Sequence, residues 1–175
     1  MTRRGALLLC MLAFGCMSTK AYVRNSSRLR KIRRIAVLPF ASNHPAMGAT
    51  IAESLAGQLV ASRFVILERA RLKSLLAEQQ LTIEGILDGD ESYVGKLRGV
   101  DGLVFGSATI ANGFAGLANG GNIDYVSACT ARLVDVSTGE VVFATNFKTS
   151  GPSTMSGVAS PGEVADRLAR DFADQ

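Results

Sequence analysis

Histidine occurs once in this chain, at His44, and tryptophan not at all; cysteine is limited to Cys10, Cys16 and Cys129. Transition-metal sites and Cys–His catalysis draw on clusters of these side chains, so no metal, no cofactor and no such catalytic centre is expected. A long apolar run is also missing. A membrane-spanning helix needs about 20 such residues, whereas the uncharged stretch near the start covers only the eleven residues 5–15. Nor is there an internal repeat, a heptad array or a second domain boundary. Acidic residues are absent from 17–34, which carry seven cations: Lys20, Arg24, Arg28, Arg30, Lys31, Arg33 and Arg34. From Ile35 onward 15 acidic residues outnumber 10 basic ones, so the net charge of +4 belongs to the beginning of the chain. The remainder is acidic on balance, and nucleic acid is not the expected partner.

What is present at the start is an export signal. Arg3 and Arg4 precede the uncharged stretch 5–15, giving the basic and apolar regions of a secretory leader. It closes on Leu12-Ala13-Phe14-Gly15-Cys16, which resembles the bacterial lipobox, where the cysteine thiol is acylated and the leader is cut before it. An ordinary cleaved leader with an incidental Cys16 is the alternative. The expected division is a signal peptide at 1–15, a lipidated basic tether at 16–34 and one domain at 35–175, within the usual domain range of roughly 100–200 residues. Beside a lipid anchor, the basic segment would lie against anionic headgroups. Residues 17–31 show no hydrophobic period; fifteen residues reach about 50 Å at full extension and nearer 20 Å as a coil. With Cys10 removed and Cys16 acylated, Cys129 has no disulfide partner and is expected as a buried, inert thiol.

In the domain, the continuous apolar run IAVLPF at 35–40 suits a strand buried on both faces. Ile51, Leu55 and Leu59 repeat at helical spacing, with Thr50 and Glu53 spaced as a capping box although the helix could begin earlier. A strand at 64–67, a helix at 68–80 and a short helix at 91–97 follow, then a strand at 101–110. In 123–136 Tyr125, Ser127, Cys129, Ala131 and Leu133 alternate with Val126, Ala128, Thr130, Arg132 and Val134. Gly139 turns the chain into a returning strand at 141–147, completing a meander of three antiparallel strands. Ser160, Pro161 and Glu163 fit the start of a last helix whose Val164, Leu168 and Phe172 face inward. Strand and helix order together imply an α/β sandwich with a mixed sheet, the C-terminal meander and flanking helices.

Two carboxylate pairs are the catalytic candidates in the sequence. Asp88 and Asp90 read as a helix-capping turn, too short for a calcium loop of the EF-hand type. Asp135 and Glu140 flank a hairpin turn and lack a convergent nucleophile, so the chain is expected not to be an enzyme. Gly113, Gly116, Gly120 and Gly121 are followed by a strand pattern instead of the helix a phosphate loop requires, and read as a hairpin connection.

Four segments, IAVLPF at 35–40, RFVILERARLKSLLAEQQL at 63–81, GKLRGVDGLVFGSAT at 95–109 and ARLVDVSTGEVVFA at 131–144, together resemble the curli production assembly/transport family of the CsgG type and the related LpoB-type activators of penicillin-binding proteins. The resemblance implies a three-layer α/β sandwich on a lipidated cysteine, acting without catalysis in envelope assembly or secretion through protein partners and homo-oligomers. Two narrower roles stay open beside it. A subunit of a secretion pore would need membrane hairpins with strands of about 9–11 residues, longer than 112–122 offers. An activator of a peptidoglycan synthase would need a long tether. Met17 follows Cys16, where Asp would favour inner-membrane retention in enterobacteria, so the expected site is the periplasmic face of the outer membrane.

Overall fold

A computed structural model describes residues 17–82, 97–114, 121–149 and 159–174. Its seven strands are β1 (Met17–Val23), β2 (Arg34–Val37), β3 (Ala41–Ser42), β4 (Val65–Leu67), β5 (Gly102–Phe114), β6 (Asn122–Asp135) and β7 (Val141–Thr149). The helices among these residues are α1 (Ser26–Leu29), α2 (Pro45–Leu59), α3 (Arg69–Glu78) and α4 (Pro161–Ala173). One sheet runs in the order β1-β7-β6-β5-β2-β4, with β3 paired to β5 off this path. Pairings of β2 with β4 and β5, and of β3 with β5, are parallel; those joining β1, β7, β6 and β5 are antiparallel. The expected mixed-sheet α/β sandwich with its C-terminal meander is the observed architecture.

Alternation along β2 divides the core. Ile35 and Val37 face a cluster built with Leu55 and Leu59 of α2 and Leu168 and Phe172 of α4. Ala36, and Leu38 just beyond the strand, face a smaller cluster with Leu72 and Leu76 of α3. Helix α2 starts earlier than the Thr50 box suggests, because Pro45 supplies a pre-set φ for the first turn, and the Thr50 hydroxyl instead donates back to the Ala46 carbonyl at 2.9 Å. Helix α4 begins as expected: the Ser160 hydroxyl accepts from the Glu163 N–H at 3.2 Å. Phe172 sets its ring 4.5 Å from that of Phe143 on β7. Nearby, the Asp171 carboxylate accepts from the buried Thr145 hydroxyl.

Three expectations are corrected. The segment read as an irregular tether begins with β1, whose seven residues pair with β7 from Met17↔Thr149 to Val23↔Phe143. It continues into α1, where Leu29 is buried and the Arg63 guanidinium, over the Phe64 ring, donates to the carbonyls of Leu29 and Ile32 at 2.9 and 3.2 Å. An edge strand at the rim of the helix layer needs no apolar stripe, since ladder hydrogen bonds hold it, and its periodicity is therefore weak. Second, strict alternation along β6 breaks at Ser127. Thr109 pairs with Ala128 and Ile110 with Val126, leaving Ser127 as the extra residue of a bulge, its hydroxyl donating to the Thr109 carbonyl at 3.0 Å. Val126 thereby shares the helix-facing side with Cys129. Third, β5 runs on to Phe114, four residues past the expected end, and the rungs from Ile110↔Val126 to Phe114↔Asn122 continue past the last rung with β7, Ala128↔Lys148. The turn glycine Gly139 takes φ 70°, as the hairpin requires. The helix expected at 91–97 lies outside the described residues except for Leu97.

Candidate functional site

Of the residues singled out from sequence, Cys16, Asp88 and Asp90 lie outside the described residues. Asp135 and Glu140 are present and do not converge. The Asp135 carboxylate accepts from the Ser137 N–H at 2.8 Å and its hydroxyl at 2.6 Å, closing the turn. Glu140 instead takes Nη1 of Arg28 at 2.9 Å, which ties α1 to the β6–β7 hairpin. Each carboxylate thus serves local structure. His44 is exposed at the N-cap of α2, where its side chain makes no capping bond. Among the described residues no group of three or more His, Cys, Asp or Glu side chains could hold a metal ion.

Cys129 is buried, and desolvation pushes its thiol up to about 12 from 9.0. Because the folded thiol stays neutral while the unfolded one ionises, stability is unaffected below pH 9 and falls as pH rises from there toward 12. A thiol reagent at pH 8 is expected to leave Cys129 unmodified in the native protein and to react fully in denaturant. Rapid native labelling, read by mass spectrometry, would show the site to be open.

Among the described residues, the surfaces with capacity for partners are the margins of the sheet and the face opposite α2 and α4. Both ends of the strand order carry exposed apolar side chains, Tyr22 (55%) on β1 and Val65 (60%) on β4, and Val60 (67%) is exposed just past α2. A groove of about 380 Å³ lies between α2 and β4, lined by Val37, Ala56, Val60 and Ile66 and rimmed by the Arg69–Glu53 ion pair at 3.3 Å. Edge strands of this kind leave main-chain donors and acceptors free for another chain.

The sheet's two faces differ. Helices α2 and α4 cover one, whereas the described core on the other face gathers around α3, over the β2 end. Across β1, β7, β6 and β5 that second face presents three rows of side chains: Tyr22–Ala144–Arg132–Phe105, Lys20–Asn146–Thr130–Ser107 and Ser18–Lys148–Ala128–Thr109. Lys20, Arg132 and Lys148 are exposed, and none of the twelve positions is acidic. The hydroxyls of Ser107 and Thr130 lie 3.1 Å apart within the middle row. Sequence reasoning missed this surface because it missed β1; the clue was the weak alternation of Ser18, Lys20 and Tyr22 with Thr19, Ala21 and Val23.

The fold and these surfaces define a mixed-sheet α/β sandwich whose second face, among the described residues, exposes a basic patch. The chain belongs to the family of the curli production assembly/transport component CsgG, whose family model matches residues 32–165. Among solved structures it is similar to the PelC dodecamer from Paraburkholderia phytofirmans, at 16% identity and a TM-score of 0.52, covering 90% of this chain and 96% of that one. It is also similar to lipoprotein GNA1162 from Neisseria meningitidis, at 15% identity and a TM-score of 0.47, covering 82% and 99% respectively. The C-terminal domain of LpoB from Salmonella enterica gives 16% identity and a TM-score of 0.43 over 65% of this chain and 79% of that domain. A comparison with curated proteins gives no match.

Proposed function

We propose that this protein is a non-catalytic lipoprotein, acylated at Cys16 and held on the periplasmic face of the outer membrane, that serves envelope assembly or secretion through protein contacts and self-association. Membership of the CsgG family carries this reading. Two structural features support its details. Strand β1 begins at Met17, directly after the candidate acylation site, so an anchor there would hold the domain against the bilayer with no slack. Among the described residues the edge strands, β1 and β4, stand at opposite ends of the sheet and are different surfaces, which is what head-to-tail closure of a ring requires; the PelC relative is a dodecamer.

The narrower roles fare less well on the same features. An anchor at Cys16 would leave the domain little reach toward a synthase on another membrane, since β1 starts at the next residue. Among the described residues the β5–β6 ribbon extends past the last β7 rung by the five β5 residues Ile110–Phe114, fewer than the roughly 9–11 a membrane-spanning strand needs. One experiment addresses the anchor and the assembly together. Cys16→Ala is expected to leave the membrane fraction after a high-salt wash, which removes surface electrostatics but not an acyl chain, while the wild-type protein stays and is extracted by detergent as a multimer. Salt-resistant membrane association of Cys16→Ala would disprove the anchor, and a monomeric extract would disprove self-association.

A further inference from the structure

We propose that the face of β1, β7, β6 and β5 that exposes Lys20, Lys148 and Arg132 is a docking surface for anionic lipid headgroups, read by these three cations. The proposal deepens the anchored reading above by stating which side of the domain meets the bilayer. Cations from three strands converge there: Lys20 on β1, Lys148 on β7 and Arg132 on β6, all exposed. Phosphate oxygens need cations and hydrogen-bond donors, and the rows add Asn146, Ser107, Thr109 and Thr130 between the charges.

Charge alone would suit any polyanion, and shape and chemistry select among them. The rows spread over about 14 Å across four strands spaced roughly 4.8 Å apart, a broad surface suited to many headgroups at once. A protein interface is expected to centre on an apolar or aromatic anchor, whereas the central row here is Lys20–Asn146–Thr130–Ser107. Tyr22, 55% exposed beside Lys20's row, has the amphipathic ring that favours the membrane–water boundary. Position agrees as well. Ser18 is two residues from Cys16, so the candidate acylation site lies within about 7 Å of the patch along the chain. Helix α3 rises about one helix diameter, ~10 Å, over the opposite side of this face. A planar surface therefore meets the patch along its β1–β7 margin, placing Lys20 and Lys148 closest and Arg132 one strand further in.

The test uses the full chain with Cys16→Ala, so that no acyl group contributes, and sedimentation with phosphatidylglycerol or phosphatidylcholine vesicles at low salt. Selective binding to phosphatidylglycerol is expected, with about a fivefold loss in partition for Lys20→Gln or Lys148→Gln and about a hundredfold loss when Arg132→Gln is added to both. Arg170→Gln, on α4 in the opposite layer, should change nothing. Three results would overturn the proposal: unaltered binding by the triple variant with a parent-like melt, equal binding to both lipids, or capture by heparin or nucleic acid without vesicle binding. An equal loss from Arg170→Gln would also overturn it, since net charge and not this face would then be responsible. Acylation is judged separately by the salt-washed membrane fraction, so failure here and failure of the anchor are distinguishable.

Discussion

Leu168→Asp is expected to abolish the cooperative thermal transition. Leu168 is wholly buried in α4, in the same cluster as Leu55 and Leu59 of α2 and Phe143 and Phe147 of β7. Removing a buried leucine side chain costs about 2–5 kcal/mol, and a carboxylate in its place adds several more, whether it stays charged or takes up a proton against its solution preference. Domains of this size are stable by only about 5–15 kcal/mol in all, so the combined loss consumes most or all of it. Leu168→Ala, by contrast, should lose about 3 kcal/mol and keep a single transition at lower temperature. Circular dichroism melts of the two variants separate the cases: if Leu168→Asp melts like wild type, α4 is not docked on this sheet.

A second large effect is expected from one added carbon at Gly106. A Cβ built there would sit 1.8 Å from the Thr130 carbonyl oxygen and 3.1 Å from the Ala131 Cα. Both atoms are main chain of the neighbouring strand, so no side chain can swing away; β5 and β6 would have to part by more than an ångström. That separation breaks the ladder on either side of the Gly106↔Ala131 rung, including Phe105↔Arg132 and Ser107↔Thr130. We expect Gly106→Ala to cost about 3 kcal/mol, the upper end of overpacking losses. Gly57 in α2 is the matched control, since a Cβ there meets nothing within 4 Å, and Gly57→Ala should stabilise by up to about 1 kcal/mol through helix propensity. Chemical denaturation curves should therefore move in opposite directions for the two alanines.

Legibility in the sequence followed how much apolar surface each element buries. Helix α4 could be read from Ser160, Val164, Leu168 and Phe172, because a buried helix face imposes its period on the residues. Strand β2 was equally plain, its IAVLPF run answering to burial on both sides. Strand β1 was invisible for the opposite reason: Lys20, Ala21, Tyr22 and Val23 are all exposed, and its order comes from pairing with β7, which leaves no mark on composition. The bulge at Ser127 and the extension of β5 through Gly113 are likewise backbone events. Cys16 could be put forward as an acylation site from sequence alone because acylation demands a thiol at a cleavage point; it lies outside the described residues. The basic face was not legible, since Lys20, Arg132 and Lys148 become neighbours only through the register of three strands.

The place where β1 joins the sheet also decides how the molecule responds to force. Any pull transmitted through the residue before Met17 enters at the Met17↔Thr149 rung, at one end of a seven-residue antiparallel ladder. A load along the strand is shared by the whole ladder in shear and must slide Thr19, Ala21 and Val23 past Phe147, Thr145 and Phe143 together. A load directed sideways opens the rungs one at a time, each yielding alone. The attachment is therefore stiff in one direction and tears easily in another, so the angle at which a partner tugs on the domain decides whether β1 stays in the sheet.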